Sequence, residues 1–132
     1  MDKSSLLKAF NQHFFEFLDD IIRIYPENKD ITDGRTTFEF FKKANPTSIV
    51  KAWHQFVTLK YETTIENGNI DYFLEKDYKD DLNHMGNANE VMEIVDRLRV
   101  PMRSMTQESK ASSLKYLQNL CKLSKMYSAI SK

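Results

Sequence analysis

Glu75, Asp77, Asp80 and Asp81 form the densest group of carboxylates in the chain, and hard divalent cations take oxygen ligands of this kind. A metal-assisted reaction is the chemistry such a cluster would support. Lys76 and Lys79 are interleaved with it, so the spacing equally suits a solvated acidic surface that meets a basic partner. A second polar stretch, Asn28 through Glu39, has the length of an EF-hand calcium loop. Asn28, Asp30, Thr32 and Glu39 take ligand positions one, three, five and twelve, but Gly34 falls on seven where the turn needs glycine at six. Arg35 also occupies a normally apolar position, so the stretch reads as a polar loop from Glu27 to Gly34. Asp33 or Thr32 would cap the helix that follows.

Cys121 could act as a nucleophile only beside a base, for which His13, His54 and His84 are the candidates. The three are dispersed without paired metal spacing. Cys121 itself lies one turn after Leu117 in an apolar stripe, the ordinary place of a small buried hydrophobe. No Gly-x-Ser-x-Gly elbow, phosphate-cradling glycine loop or dinucleotide fingerprint occurs, and three glycines leave little material for one. These patterns predict a protein that is not an enzyme, with no catalytic residue, metal site or cofactor.

Charge is the more informative pattern. Residues 1–96 carry eleven Lys/Arg against eighteen Asp/Glu, a balance of −7, while residues 97–132 carry eight basic side chains against Glu108 alone, a balance of +7. The formal neutrality is a cancellation between an acidic body and a basic C-terminal helical segment. Such a segment can dock on the body, on a partner chain or on phosphate, because charge acts on association and orientation. The expected interaction surface is Arg97, Arg99, Arg103, Lys115, Lys122 and Lys125, with Glu75, Asp77, Asp80 and Asp81 as its acidic complement. At about 100° per residue Lys115, Lys122 and Lys125 cluster on one side of a helix, and Lys110 lies away from them. A protein partner is expected. Nucleic acid is the alternative, since phosphates would be neutralised by the same cations, but no Arg-rich tract or zinc spacing accompanies them.

The elements that must position these residues are helical. Apolar side chains recur at spacings of three and four almost throughout, which predicts an all-α, irregular bundle of five to six helices in a single domain over 1–132. Leu6, Phe10, Phe14, Phe17, Ile21 and Tyr25 form one stripe of a first helix over roughly 4–25, capped by Asp2 or Ser4 and stopped by Pro26. A shorter helix would turn Phe38, Phe41 and Phe40 inward and end at Asn45-Pro46. A third carries Ile49, Trp53, Phe56, Val57, Lys60, Tyr61 and Ile65 on one face up to Asn67-Gly68. A short helix from Ile70 through Lys79 follows. Asn87 then opens a helix that Pro101 ends or kinks, and Thr106 caps the last, whose stripe is Tyr116, Leu120, Leu123, Tyr127 and Ile130. Phe14, Phe17, Ile21, Trp53, Phe56, Val57, Ile94, Leu98, Leu117 and Leu120 are the expected centre. The flanking Leu114, Leu117 and Cys121 widen the last stripe toward a second face, so a homo-oligomer is a further expectation.

The chain has neither a signal-peptide core nor an apolar run of about 18 residues, and one cysteine permits no internal bridge. An intracellular protein without a membrane partner is expected. Several stretches, among them Phe17-Leu18-Asp19-Asp20-Ile21, Lys43-Ala44-Asn45-Pro46, Asn69-Ile70-Asp71-Tyr72-Phe73 and Leu98-Arg99-Val100-Pro101-Met102-Arg103, resemble a family of small, uncharacterised helical proteins of large DNA viruses infecting algae and protists. The resemblance runs over nearly the whole chain and rests on helix junctions and core faces. It implies a viral origin and a host-cytoplasm or virion setting, and it carries no active-site residue.

Overall fold

Helix α1 spans Lys3–Ile24 in the computed structural model of the chain, which describes residues 2–75 and 89–131, with backbone alone at Asn89, Glu90, Met92 and Ser131. The Asp2 carboxylate accepts from the Ser5 N–H at 2.8 Å and satisfies one of the free donors of the first turn. Tyr25 closes the helix ahead of Pro26, as the sequence predicts. Helix α2 follows over Lys29–Ala44, α3 over 48–66, α4 over Ile70–Glu75, α5 over Asn89–Met102 and α6 over Gln107–Ser131. Six helices and no strand therefore make up the described residues. The predicted helix end at Lys79, the loop with Gly86 and the Asn87 cap fall outside them.

The polar loop expected from Glu27 to Gly34 is corrected by the structure. Asn28 caps α2, its side-chain oxygen accepting from Ile31 N–H at 3.3 Å, so the helix begins five residues earlier than Gly34. Ile31, Gly34 and Phe38 step by three and four and are all buried, and this stripe draws the segment into helical geometry. Gly34 is needed there for space, because a Cβ would stand 2.8 Å from Ile94 Cγ2 on α5. Phe40 is likewise corrected: it is 68% exposed, while Phe38 is fully buried and Phe41 packs at the core's edge.

Helix α3 consists of Ser48–Trp53, a π turn over His54–Thr58, and Leu59–Glu66. The wider turn adds a residue to the helical repeat. Trp53, Phe56, Val57, Thr58 and Tyr61 are all buried, and Lys60, expected on that face, is exposed. Gly68 ends the helix with φ +84°, a left-handed conformation that suits glycine. Pro101 sits in the last turn of α5, just before the chain turns through Ser104 and Met105, and Thr106 Oγ1 caps α6 through Ser109 N–H at 3.1 Å.

Helix α3 runs through the centre and touches α1, α2, α5 and α6. Helix α1 packs between α2 and α6 and is antiparallel to both. Phe17 lies against Tyr116 while Lys3 reaches Tyr127, and Asp19 meets Arg35 while the Asn11 amide donates to Pro46 O. Phe10, Phe14, Phe38 and Trp53 form a cluster of edge-on and stacked rings at the middle. All ten residues expected at the centre are buried. On α6 the buried face is Ser113, Leu117, Leu120, Cys121, Ser124 and Tyr127, rotated from the predicted stripe, and Ile130 is 47% exposed.

Candidate functional site

The basic segment does not stand apart from the acidic body. The boundary between residues 96 and 97 falls inside α5, and α6 lies along α1 and α3. Most of its charges are used within the fold. Arg97 bonds Glu93 one turn earlier at 2.9 Å, Arg103 Nε donates to Leu74 O at 2.6 Å, and Lys110 pairs with Asp71 at 2.9 Å. Lys125 pairs with Glu62 at 2.7 Å, and that hydrogen bond raises the lysine pKa above its ordinary value.

Arg99 is the clearest correction to the expected surface. It is fully buried, its guanidinium 4.5 Å from the Phe73 ring centroid and 5.4 Å from that of Tyr61, with Asp96 at 3.8 Å. The reason is positional: Arg99 follows Leu98 and lies one turn beyond Val95 on the inward side of α5, where a planar cation can stack on ring faces. On the acidic side, Glu75 is exposed at the end of α4. Asp77, Asp80, Asp81 and His84 lie outside the described residues.

What remains is a stripe on α6. Lys115, Asn119 and Lys122 step by four and three, all exposed, and neither lysine makes an ion pair among the described residues. The two lysines are seven residues apart, about 10 Å along the helix. Across from them, Gln12, His13 and Glu16 of α1 complete two adjoining hollows of about 310 and 520 Å³. His13 lies against Tyr116, ring centroids 4.8 Å apart, with Nδ1 3.8 Å from Glu16 and Nε2 closed off from solvent without a hydrogen-bond partner. Burial, then the charges of Asp20 and Glu16, push the Tyr116 hydroxyl pKa up. The groove thus carries Lys115 and Lys122 on its α6 side and the exposed Glu16 carboxylate on its α1 side, with polar groups of His13, Tyr116 and Asn119 between them. Sequence reading found its two lysines and missed Gln12, His13 and Tyr116. A polar row of Lys8, Gln12 and Glu16 at spacings of four was the available signal, but it does not say which helix lies opposite.

The remaining candidates for chemistry are enclosed. Cys121 is 1% exposed, and burial pushes its thiol pKa up, away from the reactive thiolate. The Ser124 hydroxyl lies 3.5 Å from His54 Nδ1, a pairing the sequence did not suggest. Ser124 is fully buried, bonds Cys121 O at 2.9 Å and meets Thr58 Oγ1 at 2.7 Å, so it ties the π turn of α3 to α6. Among the described residues no group of three or more His, Cys, Asp or Glu is placed to hold a metal ion. No described helix is long and apolar enough to cross a membrane. The chain matches no protein-family model, no curated protein and no solved structure.

Proposed function

We propose that this chain is a non-enzymatic helical interaction protein that receives an acidic segment of a partner protein in the groove between α1 and α6. The observation that carries this reading is the pair Lys115 and Lys122, which line one groove and have no ion-pair partner among the described residues. Carboxylates seven residues apart on a partner helix have the same spacing of about 10 Å. Gln12 and Asn119 add amide donors and acceptors between the two charges. A nucleic-acid reading draws on the same two lysines, but Arg97, Arg103, Lys110 and Lys125 are already engaged within the chain. The two lysines of this groove alone give a logarithmic salt slope of only about −2 for duplex binding. The setting in an infected host cell or a virion has its support in the sequence resemblance alone.

The test uses a labelled helical peptide carrying Glu at the first and eighth positions, titrated by fluorescence anisotropy, with labelled single-stranded and duplex DNA as parallel probes. Peptide affinity is expected to fall as ionic strength rises to the physiological range, where the screening length is about 8 Å. The double variant Lys115→Glu with Lys122→Glu is expected to lose the peptide while melting like the wild type. Salt-independent peptide binding, or unchanged binding by that variant, would sink the reading. Tighter binding of DNA with a slope steeper than about −2 would move the partner to nucleic acid.

A further inference from the structure

The other flank of α1 carries a second groove, of about 650 Å³, in which charge is sorted by position. Because α1 and α2 are antiparallel, Lys8 of α1 falls at the same end as Lys42 and Lys43 of α2. At the opposite end Asp19 meets Arg35 at 2.6 Å, and Arg35 also bonds Glu39. Lys8 and Asp19 are eleven residues apart, about 16 Å along the helix. The three lysines are exposed and form no ion pair among the described residues. At the acidic end the side chains of Glu16, Asp19 and Glu39 are 55%, 57% and 48% exposed. Both Asp19 oxygens accept from Arg35, whose charge they share, and all three carboxylates remain open to a second cation from the solvent side. Between the ends lies Phe15, with Arg35 at 5.2 Å and Lys42 at 5.4 Å from its ring centroid.

A polyanion would be drawn to one end of this groove and repelled by the other. A second copy of the chain fits both. A two-fold axis perpendicular to α1, placed between Gln12 and Phe15, sets the lysine end of each copy over the carboxylate end of its partner, and every contact then forms twice. Exposed ion pairs alone contribute little, and the structure adds an apolar anchor beside them. Phe40, 68% exposed and outside the groove's own lining, stands about 60° around α2 from Lys43, on the side turned away from the buried Phe38. We infer that the α1–α2 face is the self-complementary interface of a homodimer, oriented by its lysine and carboxylate ends and anchored by Phe40. This does not rest on the reading of the α1–α6 groove, whose Lys115 and Lys122 lie outside the interface.

The test is sedimentation equilibrium of the full chain over a concentration series. At low salt the mass is expected to rise from 15.6 kDa to twice that value, and high salt is expected to return it to one chain. Two charge variants locate the interface: Lys8→Glu with Lys43→Glu, and Glu39→Lys. Each alone is expected to stay at one chain mass, because like charges now face each other, and an equimolar mixture is expected to regain the double mass. Phe40→Ser, at a position that gives the core nothing, should weaken the dimer independently of charge. A wild-type chain that stays at 15.6 kDa throughout overturns the inference. So does a dimer that survives Phe40→Ser and both charge variants, or a mixture that fails to pair while its components melt like the wild type. Peptide binding by the Lys8→Glu, Lys43→Glu variant reads the other groove separately.

Discussion

Arg99 and Lys122 belong to the same basic third of the chain, and the fold gives them opposite work. At the junction of α5 and α6 the cations face inward or sideways: Arg99 stacks on Phe73 and Tyr61, Arg103 reaches Leu74 O, and Lys110 holds Asp71. Further along α6, Lys115 and Lys122 are exposed and make no ion pair among the described residues. The difference teaches that net charge along a chain overstates the charge available to a partner. Arg97, Arg103, Lys110 and Lys125 find acids or carbonyls of their own fold, and Lys115 and Lys122 do not.

The contrast predicts a graded series in stability. Arg99→Ala removes a fully buried side chain and its two ring contacts, and the expected loss is about 3 kcal/mol, in the range of large-to-small core substitutions. Urea unfolding measures it, and a loss below about 0.5 kcal/mol, the range of surface substitutions, would show that Arg99 is not structural. A neutral buried pair supplies the scale for comparison. Thr58→Val keeps the shape but removes the hydroxyl facing Ser124, which retains its bond to Cys121 O, so a loss of about 1 kcal/mol is expected. Lys110→Ala comes lower, at about 0.5 kcal/mol, since Asp71 is 60% exposed and water replaces much of the pair.

The same contrast explains what the sequence could and could not disclose. Periodicity marked the helices and all ten central residues, because the recurrence of Phe10, Phe14, Phe17 and Ile21 states which side faces inward. It misplaced the start of α2, since the polar stretch from Glu27 to Gly34 reads as a loop with Asp33 or Thr32 capping the next helix, whereas Asn28 caps the helix and Gly34 serves the close approach of Ile94. It could not foresee the π turn at His54–Thr58, around which Trp53, Phe56 and Tyr61 are all buried. The groove was half legible: Lys115 and Lys122 are visible as one stripe, whereas His13 and Gln12 join them only once α1 is known to lie antiparallel to α6. Arg99 was misjudged because an arginine in a helix is ordinarily solvated, and the rings that receive it come from two distant segments.

An alkaline titration separates the buried interior from the grooves. Burial raises the Cys121 pKa, so the folded state favours the neutral thiol. Stability from this source is fully present below the unfolded thiol's value of 9.0 and declines as pH climbs beyond it. Cys121→Ala is expected to flatten that part of the decline while lowering stability modestly at neutral pH, as thermal melts across the alkaline range would show. A decline unchanged by the substitution would assign the effect to other groups, Tyr116 first among them.

The smallest expected effect is the most discriminating. Lys115→Ala and Lys122→Ala should each leave stability within about 0.5 kcal/mol of the wild type, because neither side chain covers the core or holds an acid. Their mutual repulsion is also slight, since a separation of about 10 Å exceeds the screening length of about 8 Å at physiological salt. Peptide affinity should run the other way, with a loss for each lysine and none for Lys110→Ala. If Lys122→Ala instead lowered stability as Lys110→Ala does, Lys122 would have an internal partner, and the division between spent and available charge would fail at the residue where it matters most.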